Sequence, residues 1–269
     1  MIAVAATVLV IRDCDVGIEV VLVRRSAKST FMSDAYVYPG GRIDPDDTIS
    51  ASRIRGDLTS VAQKMGVPTE TAAPIVAGAF RETFEECGIL VADEPIPEIA
   101  SSWRKRVHDQ DVSFSEFLTG HDLYLPNDIR YFAHWTTPVV EKRRFDTHFF
   151  VVRAPAHQAL DADGHETVDV EWVSPNVALA HHRNGQYVMF PPTVRTLERL
   201  AQFSTVQAVF DAEIDVPHII PHFVEGSEYP ILLLPGDPEF PEHLIYNRAE
   251  SVTNGPTRLV FMNGFWEHK

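Results

Sequence analysis

The most informative stretch of the sequence runs from residue 81 to residue 89 and reads Arg81-Glu82-Thr83-Phe84-Glu85-Glu86-Cys87-Gly88-Ile89. In an α-helix, side chains three and four positions apart lie on the same face, so Glu82, Glu85 and Glu86 would project together. Phe80 and Phe84 are also four positions apart, and they give the same segment an apolar face. The pattern therefore predicts an amphipathic helix with three carboxylates on one side.

Clustered carboxylates repel one another, by roughly a few tenths of a kcal/mol per pair on an exposed helix. A divalent cation would remove that repulsion, and Mg²⁺ fits because it takes a few carboxylates, keeps several waters and completes its shell with phosphate oxygens. The alternative is a solvated acidic surface, which is the commoner meaning of a charge run. Two neighbouring features favour the metal. Arg81 lies one turn before Glu85 and can hold that side chain, and residues 39–41 end a strand where bare glycine backbone can approach a phosphate.

These residues resemble the signature of the Nudix family, G-x5-E-x7-R-E-U-x-E-E-x-G-U, in which U is aliphatic. Residues 81–89 match its second half, with Thr83 at the first aliphatic position. Gly41 and Asp47 match its first half, with Asp47 where glutamate is usual. The usual box has seven residues before the arginine, whereas 33 residues separate Asp47 from Arg81, which indicates an insertion of 26 residues at about 48–73.

Split boxes of this kind resemble one branch of the family, the peroxisomal coenzyme A diphosphatases and their bacterial relatives. Two later stretches support that branch: Arg144-Phe145-Asp146-Thr147 with Phe149-Phe150, and Pro191-Pro192-Thr193. Members that cut coenzyme A often carry an upstream motif, of which Arg25 and residues 39–41 are kept here. Three positions of that motif differ: Thr30 replaces an arginine, Asp34 a glycine and Tyr38 a phenylalanine.

The resemblance covers most of residues 3–205 and implies an α/β fold, the Nudix-type α/β/α sandwich with a mixed β-sheet. It also implies a bound Mg²⁺, with Mn²⁺ as the other option. By the family pattern, Glu82, Glu85 and Glu86 would be the metal ligands, with the Gly41 carbonyl nearby.

The resemblance further implies a carboxylate that takes a proton from the attacking water. Glu85, Glu86 and Glu166 are the candidates, and Arg81 is the fourth residue assigned to catalysis. The family often supplies such a glutamate from a loop several residues before a tryptophan. Glu166 stands six residues before Trp172, and Glu171, directly before that tryptophan, is the rival.

The substrate-binding candidates are Arg24, Arg25, Gly40 and Phe145. Either arginine can pair with phosphate oxygens, although ordinary charges at a strand end are an equally good interpretation. Three aromatic residues could stack on an adenine, but buried aromatics usually belong to a core; they are Tyr36, Trp135 and Phe145.

The resulting prediction is a hydrolase that cleaves the diphosphate linkage of a nucleoside diphosphate derivative, with coenzyme A or an acyl coenzyme A favoured. ADP-ribose, NADH and nucleotide sugars remain alternative substrates. A catalytically silent, nucleotide-binding regulatory domain is the alternative from another class. Loss of a carboxylate from the acidic face would favour that class, yet all three are present.

Composition narrows the classes further. The 269 residues include 38 acidic and 23 basic side chains, a net charge of −15 that disfavours a nucleic-acid partner. Two cysteines argue against a disulfide framework and favour the cytoplasm, and no stretch reaches transmembrane length. His218 and His222 suggest zinc, but Pro217 and Pro221 disfavour the helix that would bring both rings together.

We predict two parts of the chain: a Nudix domain at residues 1–180 and a C-terminal α+β extension at residues 181–269. The extension is expected to pack on the core or to form a homodimer contact. Strands are predicted at 3–11, 18–23, 36–38, 129–135, 147–153, 169–173, 231–234 and 258–262. Helices are predicted at 50–65, from about 69 to 87, at 100–107 and 114–118, and around 194–201 and 206–210.

Overall fold

A computed structural model describes residues 2–28, 32–93, 100–241 and 256–269. Its strands in chain order are β1 (Ala3–Cys14), β2 (Gly17–Arg25), β3 (Tyr36–Val37), β4 (Gly40–Arg42), β5 (Ile129–Thr136), β6 (Phe145–Arg153), β7 (Thr167–Val173), β8 (His218–Ile219), β9 (His222–Val224), β10 (Ile231–Leu233), β11 (Arg258–Met262) and β12 (Phe265–His268). Its helices are α1 (Asp47–Ser50), α2 (Thr59–Met65), α3 (Thr69–Cys87), α4 (Ala100–His108), α5 (Phe114–Gly120), α6 (Pro175–Arg183), α7 (Pro191–Leu200) and α8 (Val206–Asp211).

The main sheet is mixed and runs in the order β3-β2-β1-β6-β5-β8, with β4 paired to β1 and β7 paired to β2. Strands β1 and β6 are parallel, as are β5 and β8, whereas the other pairs are antiparallel. The crossover from β1 to the parallel β6 encloses α3, which places that helix against one face of the sheet.

Both faces of the main sheet are buried. Along β1, Val8 and Val10 pack with α3 in one apolar cluster, and Leu9 and Ile11 pack in a second cluster on the opposite face. The second cluster is completed mainly by α6, α7 and α8. The sequence of a strand that is covered on both faces is a nearly continuous run of apolar residues, and β1 has such a sequence. The predicted α/β/α sandwich with a mixed sheet is thereby confirmed.

Helix α3 keeps the bounds that its sequence predicts. Pro68 occupies the N-terminal cap position, and Gly88 follows the last turn with a φ of +76° and donates its N–H to the Phe84 carbonyl at 3.2 Å. Only glycine adopts that left-handed conformation without steric cost, which explains why the helix ends there.

The predicted continuous helix over 50–65 is wrong. The structure divides it into α1, a short 3₁₀ turn at Ala51–Arg53, and α2. The break centres on Gly56, whose φ is +97° and whose missing Cβ would lie 2.5 Å from the Asn127 amide nitrogen. Contact with a distant loop therefore overrides the local helical preference. Helix α2 still packs on α3 through buried residues of the first apolar cluster.

The other predicted elements occur to within a few residues, and α6 is the main one that prediction omits. Ser174 caps α6 by accepting the Val177 N–H, and the proposed boundary at residue 180 falls inside this helix. Helix α7 buries Val194, Leu197 and Leu200 against the main sheet.

Strands β9 to β12 form a second, antiparallel sheet in the order β12-β11-β10-β9. Leu232 and Leu259 of this sheet reach the second apolar cluster, so the described part of residues 181–269 packs on the core. In the ranges that the structure describes, none of the helices has the length and apolar character needed to cross a bilayer.

Candidate active site

Glu82 and Glu86 of α3 face strand β4, whereas Glu85 lies toward Arg81 and His108. The Gly40 N–H donates a hydrogen bond of 2.9 Å to Glu86 Oε2, and only 3% of Glu86 is exposed. A Cβ on Gly41 would lie 2.5 Å from the Glu82 carboxyl carbon. The paired glycines thus let the backbone of β4 approach the carboxylates directly, as expected for residues 39–41.

Arg81 holds the first half of the split box against the second. Its guanidinium donates to both oxygens of Asp47, at 2.9 and 3.1 Å, and to the Arg42 carbonyl at 3.0 Å. It also donates to Glu82 Oε1 at 3.0 Å and to Glu85 Oε1 at 3.2 Å. Asp47 is fully buried, so it works as the partner of Arg81 rather than as an accessible ligand. Arg81 is therefore placed to fix the two glutamates, as its spacing from Glu85 predicts.

Glu166 approaches the same carboxylates from the loop before β7. The Asp163 carboxylate accepts the N–H groups of residues 165–167, which shapes the loop into a tight turn. The loop is tied to α3 by the Thr167 hydroxyl, which donates to the Glu86 carbonyl at 3.0 Å. It is tied to β2 by the Ser26 N–H, which donates to the Glu166 carbonyl at 2.8 Å. The Glu166 side chain is exposed and stands at the rim of the cluster.

The rival Glu171 lies elsewhere. It pairs with Leu22 of β2, whose side chain belongs to the cluster on the face away from α3. Its carboxylate accepts a hydrogen bond from the Tyr187 hydroxyl on that side. The structure therefore brings Glu166, and not Glu171, to the α3 glutamates.

The carboxylates show the electrostatic signature of a cation site. Burial raises the pKa of Glu82 to about 7, because desolvation and the charge of Glu85 outweigh the opposing effect of Arg81. Burial also raises the pKa of Glu86 well above its usual value, and the Glu82 charge raises it further. The negative charge of Glu166 adds to the rise in both. Two guanidinium groups, those of Arg81 and Arg25, do not offset the five carboxylates around them, so a divalent cation fits this donor set.

The substrate-binding candidates Arg25, Arg24 and Phe145 differ in their position relative to the carboxylates. The Arg25 charge lowers the pKa of Glu86, which places its guanidinium near the cluster. Arg24 instead pairs with Asp34, at 2.8 Å from Nε to Oδ1, and Asp34 adopts a φ of +60° where the coenzyme A motif has glycine. Phe145 shares the strand parity of Phe149, so it faces away from α3 and is not brought to the carboxylates.

The other two aromatic candidates pack against other residues of the fold. Thr30 lies outside the described residues. Trp135 is buried in the second cluster, and Tyr36 stacks on Tyr187 with ring centroids 3.8 Å apart. Among the described residues, His222 lies on β9 and contacts Phe240.

Sequence reasoning missed a cavity of about 210 Å³ beside Glu85. Helix α4 contributes Arg104, Lys105 and His108 to it, and the loop at 161–165 forms the other wall. The His108 Nδ1 atom lies 4.0 Å from Glu85 Oε2. No local pattern signals this wall, because it depends on how α4 packs against α3.

We expect Gly41→Ala to impair both folding and turnover. The added Cβ would overlap the Glu82 carboxylate, and overpacking of this kind costs about 1–3 kcal/mol. The variant should therefore have a Tm lower by several degrees and a kcat lower by at least roughly tenfold, since the displaced carboxylate is a proposed ligand. Thermal unfolding and steady-state kinetics measure the two effects.

Gly120→Ala is the matched control, because a Cβ there meets no atom within 4 Å. It should retain wild-type kcat. Wild-type kcat and Tm in Gly41→Ala would mean that Glu82 is not held against β4.

The chain is similar to several known proteins. The family model described as the NUDT19 Nudix domain matches residues 53–200. The acyl-coenzyme A diphosphatase NUDT19 of Xenopus laevis is 29% identical, over 83% of this chain and 72% of that protein. The protein of the same name from Homo sapiens is 27% identical, over 94% of this chain and 80% of that protein. The crystal structure of a Nudix hydrolase from Alicyclobacillus acidocaldarius shares the fold, with a TM-score of 0.67 at 24% identity over 81% of this chain and 99% of that one.

Proposed function

This chain belongs to the Nudix family through its NUDT19 Nudix domain, and on that premise we propose that it cleaves the diphosphate linkage of coenzyme A and acyl coenzyme A. As a Nudix hydrolase it acts on diphosphate bonds. The observation that carries the proposal is a cluster of four glutamates. Glu82 and Glu86 lie against the glycine backbone of β4, Arg81 holds Glu85 beside Glu82, and the charge of Glu166 reaches Glu82 and Glu86.

Nudix hydrolases generally use divalent metals, and we propose Mg²⁺ here, with Mn²⁺ as a substitute. Glu82, Glu85 and Glu86 would hold it together with the Gly41 carbonyl. When bound, Mg²⁺ lowers the pKa of a water molecule and neutralises charge on the diphosphate oxygens. The raised pKa values of Glu82 and Glu86 support this assignment, because the charge of a bound cation would offset the cost of keeping these buried carboxylates ionised.

Two residues of the chain have further roles in the proposed reaction. Glu166 takes the proton of the attacking water, since it stands near Glu82 and Glu86 yet keeps an exposed carboxylate that can exchange protons with solvent. Arg81 is a positioning residue, because its contacts fix Glu82 and Glu85 and anchor them to Asp47. No covalent intermediate is required.

Coenzyme A is favoured as the substrate by two observations. The Xenopus laevis and Homo sapiens relatives are named acyl-coenzyme A diphosphatases, and Arg25 of the coenzyme A motif lies near Glu86. Arg25 is the arginine that lies near the carboxylates, whereas the Arg24 guanidinium pairs with Asp34.

The test is hydrolysis of a substrate panel with Mg²⁺: coenzyme A, acetyl coenzyme A, ADP-ribose, NADH and UDP-glucose. We expect selective cleavage of the coenzyme A compounds to 3′,5′-ADP and a phosphopantetheine. Preference for ADP-ribose or NADH would support the proposed hydrolase activity and overturn the proposal that coenzyme A is the substrate. No turnover of any compound with Mg²⁺ or Mn²⁺ would instead favour a nucleotide-binding regulatory domain.

A further inference from the structure

A row of residues crosses the main sheet at right angles to its strands. Gly41 of β4 pairs with Ala6 of β1, and Ala6 pairs with His148 of β6. His148 pairs in turn with His134 of β5, and His134 pairs with His218 of β8. Neighbouring strands lie about 4.8 Å apart, so His134 is roughly 14 Å from Gly41. The row therefore ends in a histidine cluster that is separate from the α3 glutamates.

The imidazole rings of this cluster are stacked. The rings of His134 and His148 have centroids 4.3 Å apart, and those of His134 and His218 have centroids 3.8 Å apart with planes 6° from parallel. The carboxylate of Asp146 lies close to all three imidazole rings. Asp146 Oδ1 lies 2.7 Å from His134 Nε2 and 3.7 Å from His218 Nε2, and its Oδ2 lies 4.0 Å from His148 Nε2.

We propose that His134, Asp146 and His218 form a second metal site, which binds a Zn²⁺-like transition-metal cation independently of the Mg²⁺ site. One ligand atom from each residue lies within 4.8 Å of the other two. A tetrahedral Zn²⁺ at its normal bond lengths of about 2.0–2.2 Å would set its ligand atoms roughly 3.3 Å apart. The observed separations of 2.7 and 3.7 Å bracket that value, and the stacked rings of His134 and His218 would tilt apart so that the in-plane lone pairs of both Nε2 atoms point at the ion.

The ligand chemistry selects the metal. Two imidazoles and one carboxylate suit Zn²⁺, whereas Mg²⁺ prefers oxygen ligands alone. Three protein ligands leave a fourth position open, and His218 is partly exposed, which provides a path for the ion. The two sites of this chain would therefore differ in the metal they bind.

Neighbouring side chains hold the candidate ligands in place in this metal-free arrangement. The Thr136 hydroxyl donates to Asp146 Oδ1 at 2.6 Å and lies 2.7 Å from His218 Nε2. The Tyr131 hydroxyl contacts His148 Nδ1 at 2.8 Å and fixes the buried ring that stacks on His134. In the absence of metal these contacts form a hydrogen-bond network, and a cation would replace both the His134–Asp146 bond and the Thr136–His218 bond.

A cation at this position would join separate parts of the chain. His134 belongs to β5 and Asp146 to β6, whereas His218 belongs to β8, the strand that leads into the second sheet. A ligand that binds only the folded state stabilises it by mass action. Zn²⁺ should therefore strengthen the attachment of β8 to the main sheet.

The test is calorimetric titration of Zn²⁺ into the full-length, metal-stripped chain in excess Mg²⁺, with Co²⁺ absorption as a second measure of ligand geometry. We expect one Zn²⁺ per chain. His134→Gln, Asp146→Asn and His218→Gln should each weaken binding by at least roughly tenfold. Zn²⁺ should also raise the Tm of the wild type more than that of these variants.

Two controls separate this site from others. His222→Gln removes the nearby histidine of β9, and Glu86→Gln alters the proposed Mg²⁺ site; both should keep wild-type Zn²⁺ affinity. Equal affinity in the wild type and the three ligand variants would overturn the proposal, as would the absence of a stoichiometric Zn²⁺ site. Loss of binding in Glu86→Gln alone would assign the ion to the α3 glutamates instead. If Asp146→Asn fails to fold, the partly exposed His218→Gln carries the test, and none of these results depends on turnover.

Discussion

Replacing Glu86 with glutamine is expected to lower kcat by roughly 10³-fold while the fold stays intact. A catalytic metal supplies several kcal/mol of transition-state stabilisation, and each loss of about 1.36 kcal/mol slows the reaction tenfold. Glu86 is the most buried of the glutamates on α3, and its carboxylate accepts a hydrogen bond from the Gly40 N–H. Glutamine keeps an oxygen for that hydrogen bond but removes the negative charge that would bind the metal. Steady-state kinetics at saturating Mg²⁺ measures the loss.

The stability of the same variant distinguishes a ligand from a structural residue. Burial raises the pKa of Glu86 in the folded state, so its contribution to stability is present below the usual glutamate pKa and is lost as pH rises through the raised value. Glutamine does not ionise, and the metal-free variant should therefore be at least as stable as the wild type at pH 8. Mg²⁺ should raise the Tm of the wild type and have less effect on the variant.

Glu70→Gln is the matched control, because Glu70 is an exposed acid in the first turn of the same helix. It should leave kcat and the Mg²⁺ response unchanged. Near-normal turnover in both Glu86→Gln and Glu85→Gln would refute the assignment of the metal site to α3.

Helix α3 illustrates what the sequence predicts well. Its acidic face, its apolar face and its glycine cap are all local properties of consecutive residues, and helical periodicity converts them directly into geometry. The close approach at Gly41 is similar, since a residue without a Cβ lets another group come within a distance that any side chain would block. The features of α3 define the helix bounds and the cluster of carboxylates without reference to any tertiary contact, whereas Gly41 only permits the tertiary contact with Glu82.

The pairing of Arg81 with Asp47 shows where such reasoning ends. The insertion places 33 residues between them, and the salt bridge forms only because α1 packs across α3. The break at Gly56 and the convergence of His134, Asp146 and His218 likewise depend on contacts between distant segments and on strand register. Register can be read from a structure but is not encoded in spacing along one strand.

Glu166→Gln is expected to lower kcat by roughly 10²- to 10⁴-fold with little change in KM, the range typical of losing a general base. The carboxylate approaches Glu82 and Glu86, yet its own loop is held by backbone hydrogen bonds that glutamine does not disturb. Substrate affinity should therefore survive while proton transfer fails. The limb of the pH–rate profile that reports this base should also disappear.

Glu171→Gln is the matched control for that experiment, because the two residues are five positions apart but lie on opposite faces of the sheet. Its carboxylate accepts a hydrogen bond from Tyr187 on the face away from α3, so glutamine there should alter stability slightly and leave kcat near the wild-type value. The reverse result, a slow Glu171→Gln beside an active Glu166→Gln, would move the proton acceptor to β7. Such a result would also require the active site to extend through the sheet, which its two separately packed faces oppose.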